Sequence, residues 1–339
     1  MYYFNKYSKE SRNDWFEIAD QEPRLDLNAY DEFNIERNND FNLIIYKKYD
    51  ENRYTPVAIF VSNGFFLKSK GLIKVLDANF GGLFIAPNNQ DELWKIKDFL
   101  YKKIVQEYFS KEHRIDFIDF MYPAIGAIEK PETSFISNPT PYSYVNNNSI
   151  MYMELAGEYI NKLKKTPRYE IKKGLKYLQK NDILKQKNKN IINHFIYLDR
   201  YKSQKLSINM FSYSYFEELL NSKFYNFIVC LDKASKKPIS GVIYSVHGAM
   251  GNYVYNSSTD EGKNNFSNKA LLYLAMEESK SAGAEYFILG NGFVQTGNML
   301  SVTSFKRSMS SNEVACSLYR NPISLKGRIY ASLLLLRGR

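Results

Sequence analysis

The sequence predicts a mixed α/β fold in which one layer occurs twice. Three observations carry this reading: a β-rich meander in each half of the chain, an amphipathic helix after each meander, and a further strand after each helix. The two patterns are offset by roughly 170 to 185 residues, which suggests a duplicated domain. At 339 residues, 44% apolar and 24% charged, the chain can bury two ordinary cores and is too apolar for intrinsic disorder.

In the first half, residues 41–49 and 56–62 are β-rich runs joined by a polar turn, followed by an extended stretch that ends at residues 79–85. A helix over 91–108 follows from the spacing of Leu93, Trp94, Ile96, Phe99, Leu100 and Ile104, and the alternation at 115–120 predicts a strand. In the second half, 224–231, 238–246 and 251–257 form a meander with turns at SKKP and HGAMG. A helix over 267–282 runs to Gly283 at its C-terminal end, and 285–290 is the next strand. The domains are therefore expected at 1–150 and 151–339, the second opening with a helical insertion. There Pro167 is expected to end one short helix and 168–181 to form another, with Ile171, Leu175 and Leu178 on one side and Lys172, Lys176 and Lys180 on the other. Ser214, three residues before Glu217, reads as a capping box for a helix near 215–222.

Several functions lack their signatures. No apolar run approaches the roughly 18 to 20 residues that a spanning helix needs; the longest, 329–336, is eight residues. The charged N-terminus does not read as a secretory leader, so a cytoplasmic address is expected. Cys230 and Cys316 are far apart and read as buried thiols, and with His113, His194 and His247 scattered singly no metal site is expected. P-loop, dinucleotide-binding and GxSxG motifs are missing.

Charge divides unevenly. Residues 1–150 hold 18 Lys and Arg against 22 Asp and Glu, net −4, whereas 151–339 hold 28 against 14, net +14. Within the second half, 162–189 contains eleven basic residues and two acidic ones, a field that would attract a phosphate-bearing partner or simply a solvated lysine face.

The segment 168–181 (RYEIKKGLKYLQKN), the Gly-Gly stretch 79–84 (NFGGLF), the aromatic helix 212–220 (SYSYFEELL) and above all 290–314 (GNGFVQTGNMLSVTSFKRSMSSNEV) carry a resemblance. Together with the meander of 224–290 they resemble the FemABX group, whose members carry two GNAT acyltransferase domains. The resemblance covers most of the chain and implies two tandem GNAT-like domains forming an interdomain cleft, and N-acyl or aminoacyl transfer to an amine. It places Lys306 at the acyl-transfer centre, where an ammonium can stabilise the oxyanion, beside Phe305 and Arg307. Arg307 could clamp an anion with its planar fork or stay solvated. Arg168, Lys172, Tyr215, Tyr255 and Asn291 are candidate wall residues for the acceptor. Asp260 and Glu261 are the nearest candidates for a base, although substrate assistance, as in the family, would remove the need for one.

The acyl donor would be aminoacyl-tRNA or acyl-CoA as cosubstrate, with no tightly bound cofactor. CoA-dependent GNAT enzymes grip pyrophosphate with a glycine-rich turn, and here that turn reads KNNFSNKA, leaving Ser267, Asn268 and Lys269 to meet the donor. This departure favours aminoacyl-tRNA, whose phosphates suit the net positive second half, although the long helical hairpin that docks tRNA in some members has no counterpart here. The family's acceptor is an anionic, amine-bearing cell-wall or surface-polysaccharide precursor, nucleotide- or lipid-linked; no DNA partner is implied. Two alternatives stay open: a CoA-dependent N-acetyltransferase for a nucleotide-linked amino sugar, and a non-catalytic protein of the same fold binding an anionic precursor or RNA. The C-terminal run, with Lys326, Arg328, Arg337 and Arg339, either lies on an anionic membrane surface or packs on the core as a last helix.

Overall fold

The computed structural model describes residues 1–21, 35, 39–50, 53–62, 64–78, 82–121, 144–185, 187–207, 209–291 and 300–336. The chain divides into two units, Met1–Asn148 with Ala315–Arg339, and Ser149–Val314.

In the first unit, strands β1 (Tyr2–Lys6), β2 (Leu43–Lys48), β3 (Tyr54–Val61) and β6 (Gly82–Ile85) form an antiparallel sheet in that order. β2 is apolar on both faces because both are covered. Leu43 and Ile45 face helix α2, which runs over Leu93–Phe99 and continues through Leu100–Glu112 with wider, π-type turns. Ile44 and Tyr46 face helix α1 (Arg12–Ala19), where Trp15 is fully buried. Part of the expected extended stretch is instead a hairpin, β4 (Phe65–Lys68) and β5 (Ile73–Asp77), because Ser69, Lys70 and Gly71 all take positive φ and turn the chain back. β5 pairs in parallel with β7 (Phe117–Met121).

Residues 318–322 of strand β14 (Asn312–Pro322) pair antiparallel with β7, and helix α9 (Leu325–Leu336) follows. The C-terminal segment, placed on sequence with the second domain, thus lies with the first unit. Strand pairing and the buried Asp116 carboxylate fix it there: the carboxylate accepts from Lys74 N–H (3.0 Å), Ser324 Oγ (2.7 Å) and Lys326 Nζ (3.2 Å).

In the second unit, the strand order is β9 (Asp182–Leu184), β10 (Tyr225–Leu231), β11 (Pro238–His247), β12 (Met250–Ser258), β13 (Tyr286–Asn291) and β8 (Tyr144–Glu154). Helices α3 (Lys165–Leu178) and α7 (Ser267–Ser281) pack on one face through Ile171, Leu178, Ala270, Leu271 and Ala275. They approach closely because Gly174 has no side chain; a Cβ there would lie 2.5 Å from the Phe266 carbonyl oxygen. On the other face, Phe195 of α4 (Lys189–Leu206) and Phe216 of α5 (Tyr213–Asn221) pack around Phe227 and Tyr255. Helices α6 (Asp260–Asn264) and α8 (Leu300–Ser308) are also described in this unit.

Two expectations are corrected. Pro167 lies inside the first turn of α3, where its missing N–H has no intrahelical partner to lose, so it helps to open that helix instead of ending an earlier one. The N-cap of α5 is Ser212, whose side chain accepts from Tyr215 N–H at 3.1 Å, and Ser214 sits in the first turn. Both units carry an antiparallel meander, a crossover helix and a further strand, as the duplicated pattern predicts. Among the described residues no helix is long and apolar enough to cross a membrane, and no cluster of His, Cys, Asp and Glu is suited to a metal.

Candidate functional site

The site forms where two neighbouring strands part. β12 and β13 run parallel and pair only at Met250–Asn252 with Tyr286–Ile288; beyond that their C-terminal ends have no mutual ladder. A bulge accompanies the parting. Tyr253 pairs with Tyr244 and Tyr255 with Ile243, which leaves Val254 unpaired. The extra residue breaks the alternation, so that Tyr253 packs with the α3/α7 core and Tyr255 turns to the aromatic cluster of α4 and α5.

Two lysines reach this region from different helices. Lys306 of α8 holds its Nζ 5.2 Å from the Tyr253 ring centroid, and a Cβ at Gly290 would lie only 3.1 Å from that Nζ. Gly290 takes φ +90 and the neighbouring register shifts there, so the strand end both tolerates and needs a glycine. Lys202 of α4 lies 4.5 Å from the Tyr255 ring centroid and donates to the Asn256 carbonyl at 3.4 Å. Neither ammonium has a carboxylate within salt-bridge distance among the described residues. Burial lowers the pKa of both; the charge of Lys202 lowers that of Lys306 further, while Lys263 lowers and Asp199 partly restores that of Lys202. Two half-compensated cations on aromatic faces have the chemistry to receive an anion.

Asp199 orders one side of it. Its buried carboxylate accepts from Tyr255 OH at 3.0 Å and from Phe211 N–H at 2.7 Å. Tyr215 stacks on Phe211 with centroids 4.4 Å apart, which makes an aromatic shelf beside Tyr255.

The other sequence candidates are placed as follows. Phe305 packs partly buried against the core beneath α7. Arg307 closes a two-point ion pair with Glu313, Nε to Oε2 at 2.9 Å and Nη2 to Oε1 at 3.0 Å, so its fork is engaged within the unit. Arg168 is half-buried and donates to Asn161 at 3.4 Å, and Lys172 is exposed on the basic face of α3. Asn291 ends β13; its side chain lies outside the described residues, as do residues 79–81 of the Gly-Gly stretch and 292–299 of the signature segment. At the start of α7, Ser267 is buried and donates to the Gly262 carbonyl at 3.0 Å. The Asn268 side chain accepts from the N–H of Lys269, whose Nζ pairs with Glu170 at 2.5 Å. Asp260 pairs with Lys205, and Glu261 accepts from Tyr177 OH at 2.5 Å. Cys230 is buried and its thiol is pushed up to about 12, which makes it inert as a nucleophile.

Lys202, Asp199, Tyr253 and Gly290 are additions that sequence reading missed. For the two α4 residues a signal existed: Ile191, Phe195 and Asp199 repeat every four residues, so an acid falls on the buried stripe of a helix and Lys202 follows it one turn later.

No family model matches the chain, and no curated protein sequence matches it. Solved structures do. FemX superposes with a TM-score of 0.58 at 11% identity, over 81% of this chain and 87% of that one. L-PGS from Bacillus licheniformis gives 0.56 at 9% identity, over 94% and 93%. A tandem GNAT protein from the clavulanic acid biosynthesis pathway gives 0.50 at 8% identity, over 95% and 99%. The fold is therefore the tandem GNAT fold. Within that class it is FemX-like, with the Lys306 arrangement in the second of its two α/β units.

Proposed function

We propose that this protein is an N-acyltransferase that moves an aminoacyl or acyl group onto the amine of an anionic cell-wall or surface-polysaccharide precursor. One observation carries the reading: a largely buried ammonium, Lys306, without a counter-charge among the described residues, stands where β12 and β13 part in a FemX-like fold. An uncompensated buried cation is costly to hold and is repaid where negative charge develops. In the reaction, the neutral amine forms a bond to the donor's carbonyl carbon and the carbonyl oxygen becomes an oxyanion facing Lys306. The donor's ester or thioester bond then breaks, and the amine's proton leaves with the departing oxygen or sulfur. Lys202 offers a second cation for a phosphate or carboxylate of either substrate.

Aminoacyl-tRNA is the preferred donor. Ser267 and Lys269, which a CoA pyrophosphate would need, are engaged with Gly262 and Glu170, whereas Lys172 and Lys176 on α3 are exposed for phosphate contacts. The test incubates the purified chain with a nucleotide-linked amino sugar and either aminoacyl-tRNA or acyl-CoA, and reads the acceptor's mass. A mass gain that ribonuclease abolishes and that Lys306→Ala lowers about 10²- to 10³-fold is expected. Transfer that survives Lys306→Ala unchanged would remove the lysine from the chemistry, and transfer from acyl-CoA alone would make the protein an acetyltransferase-type enzyme.

A further inference from the structure

Over residues 325–333, helix α9 turns two small residues and one aromatic ring inward: Gly327 is buried so close to the Asp116 carbonyl that a Cβ would clash, Ala331 is 5% exposed, and Tyr330 packs its ring against Phe117 at 6.1 Å. The large aliphatic residues of this stretch face out. Leu325, Ile329 and Leu333, spaced by four, are 76%, 55% and 49% exposed and form one stripe. The stripe has a neighbour in the same unit, because Tyr330 OH and Ser69 Oγ lie 2.6 Å apart at the tip of the β4–β5 hairpin. Leu72, in the turn of that hairpin, is 66% exposed. Three exposed aliphatic side chains on one side of a helix, with a fourth in the adjoining turn, exceed the single surface leucines of a typical monomer.

Charge identifies what the patch fits. Residues 64–76 and 323–336 contain five Lys and Arg and no Asp or Glu. Lys70, at the hairpin tip, and Arg328 are exposed beside the aliphatic residues, and Lys326 keeps its side chain 59% exposed while reaching Asp116. A second copy of the chain would bring two such cationic faces together and be repelled. We infer that this face of the first unit, α9 with the β4–β5 hairpin tip, docks on an anionic lipid surface. Leu325, Ile329, Leu333 and Leu72 enter the headgroup boundary, and Lys70, Arg328 and Lys326 meet lipid phosphates. The inference stands on the first unit alone and is independent of the chemistry proposed for Lys306.

The test is flotation of the full chain with vesicles of phosphatidylcholine alone and of equal parts phosphatidylcholine and phosphatidylglycerol. Binding to the anionic vesicles and little to the neutral ones is expected. The triple variant Leu325→Ser/Ile329→Ser/Leu333→Ser keeps every charge and removes only exposed side chains; it should bind anionic vesicles at least about tenfold more weakly. Lys70→Glu/Arg328→Glu should lower binding by a similar factor and flatten its salt dependence. Circular dichroism and melting temperature of both variants verify the fold, and a variant that fails to fold is replaced by the single change Leu325→Ser, read against the same vesicles. Undiminished binding of the folded triple variant would reduce the contact to general charge attraction and overturn the inference. So would light scattering that shows a wild-type dimer dissolved by the triple change with no vesicle binding, which would assign the face to a second copy.

Discussion

The two units share a layer plan and treat buried charge in opposite ways. In the first, Asp116 is 3% exposed and its carboxylate is met by a backbone N–H of β5 and by a hydroxyl and an ammonium of the C-terminal segment, while the sheltered Lys74 donates to the His113 carbonyl at 3.0 Å. In the second, Lys202 and Lys306 are sheltered over tyrosine rings with no carboxylate within salt-bridge distance among the described residues, and the charge of one lowers the pKa of the other. Satisfied charge anchors a chain; unsatisfied charge waits for a partner. One unit uses buried polarity to hold its C-terminal segment; the other keeps two sheltered ammoniums that no described carboxylate pairs.

That contrast can be broken at either end. The largest effect is expected in the first unit's anchor: Asp116→Ala leaves Lys74 N–H and Ser324 without their acceptor and should destabilise the protein by about 3 kcal/mol, read as a lower denaturant midpoint. Asp199→Ala should cost about 2 kcal/mol by freeing the Tyr255 hydroxyl and Phe211 N–H, and should also weaken acceptor binding by loosening the aromatic shelf.

The opposite sign is expected for Lys306→Met. It removes a charge that burial disfavours, so thermal scans should show a melting temperature higher by about 2 to 4 °C while transfer is lost. In the wild type, stability rises with pH from the lysine's lowered pKa up to its ordinary value, because there the unfolded chain holds the proton and the folded chain has released it. The variant's advantage should therefore shrink across that window.

The pH dependence of transfer sharpens the comparison further. Lys306 must be charged, so the rate should fall as pH rises through its lowered pKa, and Lys202→Met, by removing the nearby positive charge, should move that fall to higher pH. Smallest of all, Arg307→Ala should cost no more than about 1 kcal/mol and leave the rate near wild type, since its exposed fork pairs with Glu313.

Much of this was legible in the residues. The runs at 41–49, 56–62, 224–231 and 238–246 carry enough β-branched and aromatic side chains to declare strands, and the spacing in 267–282 declares the helix that packs on one face of the second unit's sheet. Lys306 stood out through the resemblance of its segment, and the solved structures bear out the fold that resemblance implied. What stayed hidden depends on long-range pairing. Nothing local in 315–322 says that its partner is β7, and nothing in NYVYN says that Val254 is surplus to the ladder. The engagement of Arg307 by Glu313 and of Lys269 by Glu170 was equally invisible, because a basic residue reads the same in sequence whether its partner is a substrate or a neighbouring helix.

The surplus residue at Val254 sets a strict arithmetic on β12. Tyr253 and Tyr255 belong to opposite sides of the sheet only while one position between them goes uncounted by β11. Pulling that position into the ladder, or deleting a paired one, would slide every side chain from Tyr255 to Ser258 to the other side, taking the ring beneath Lys202 with it. Val254 itself could be lost without moving them; a paired residue of this strand could not.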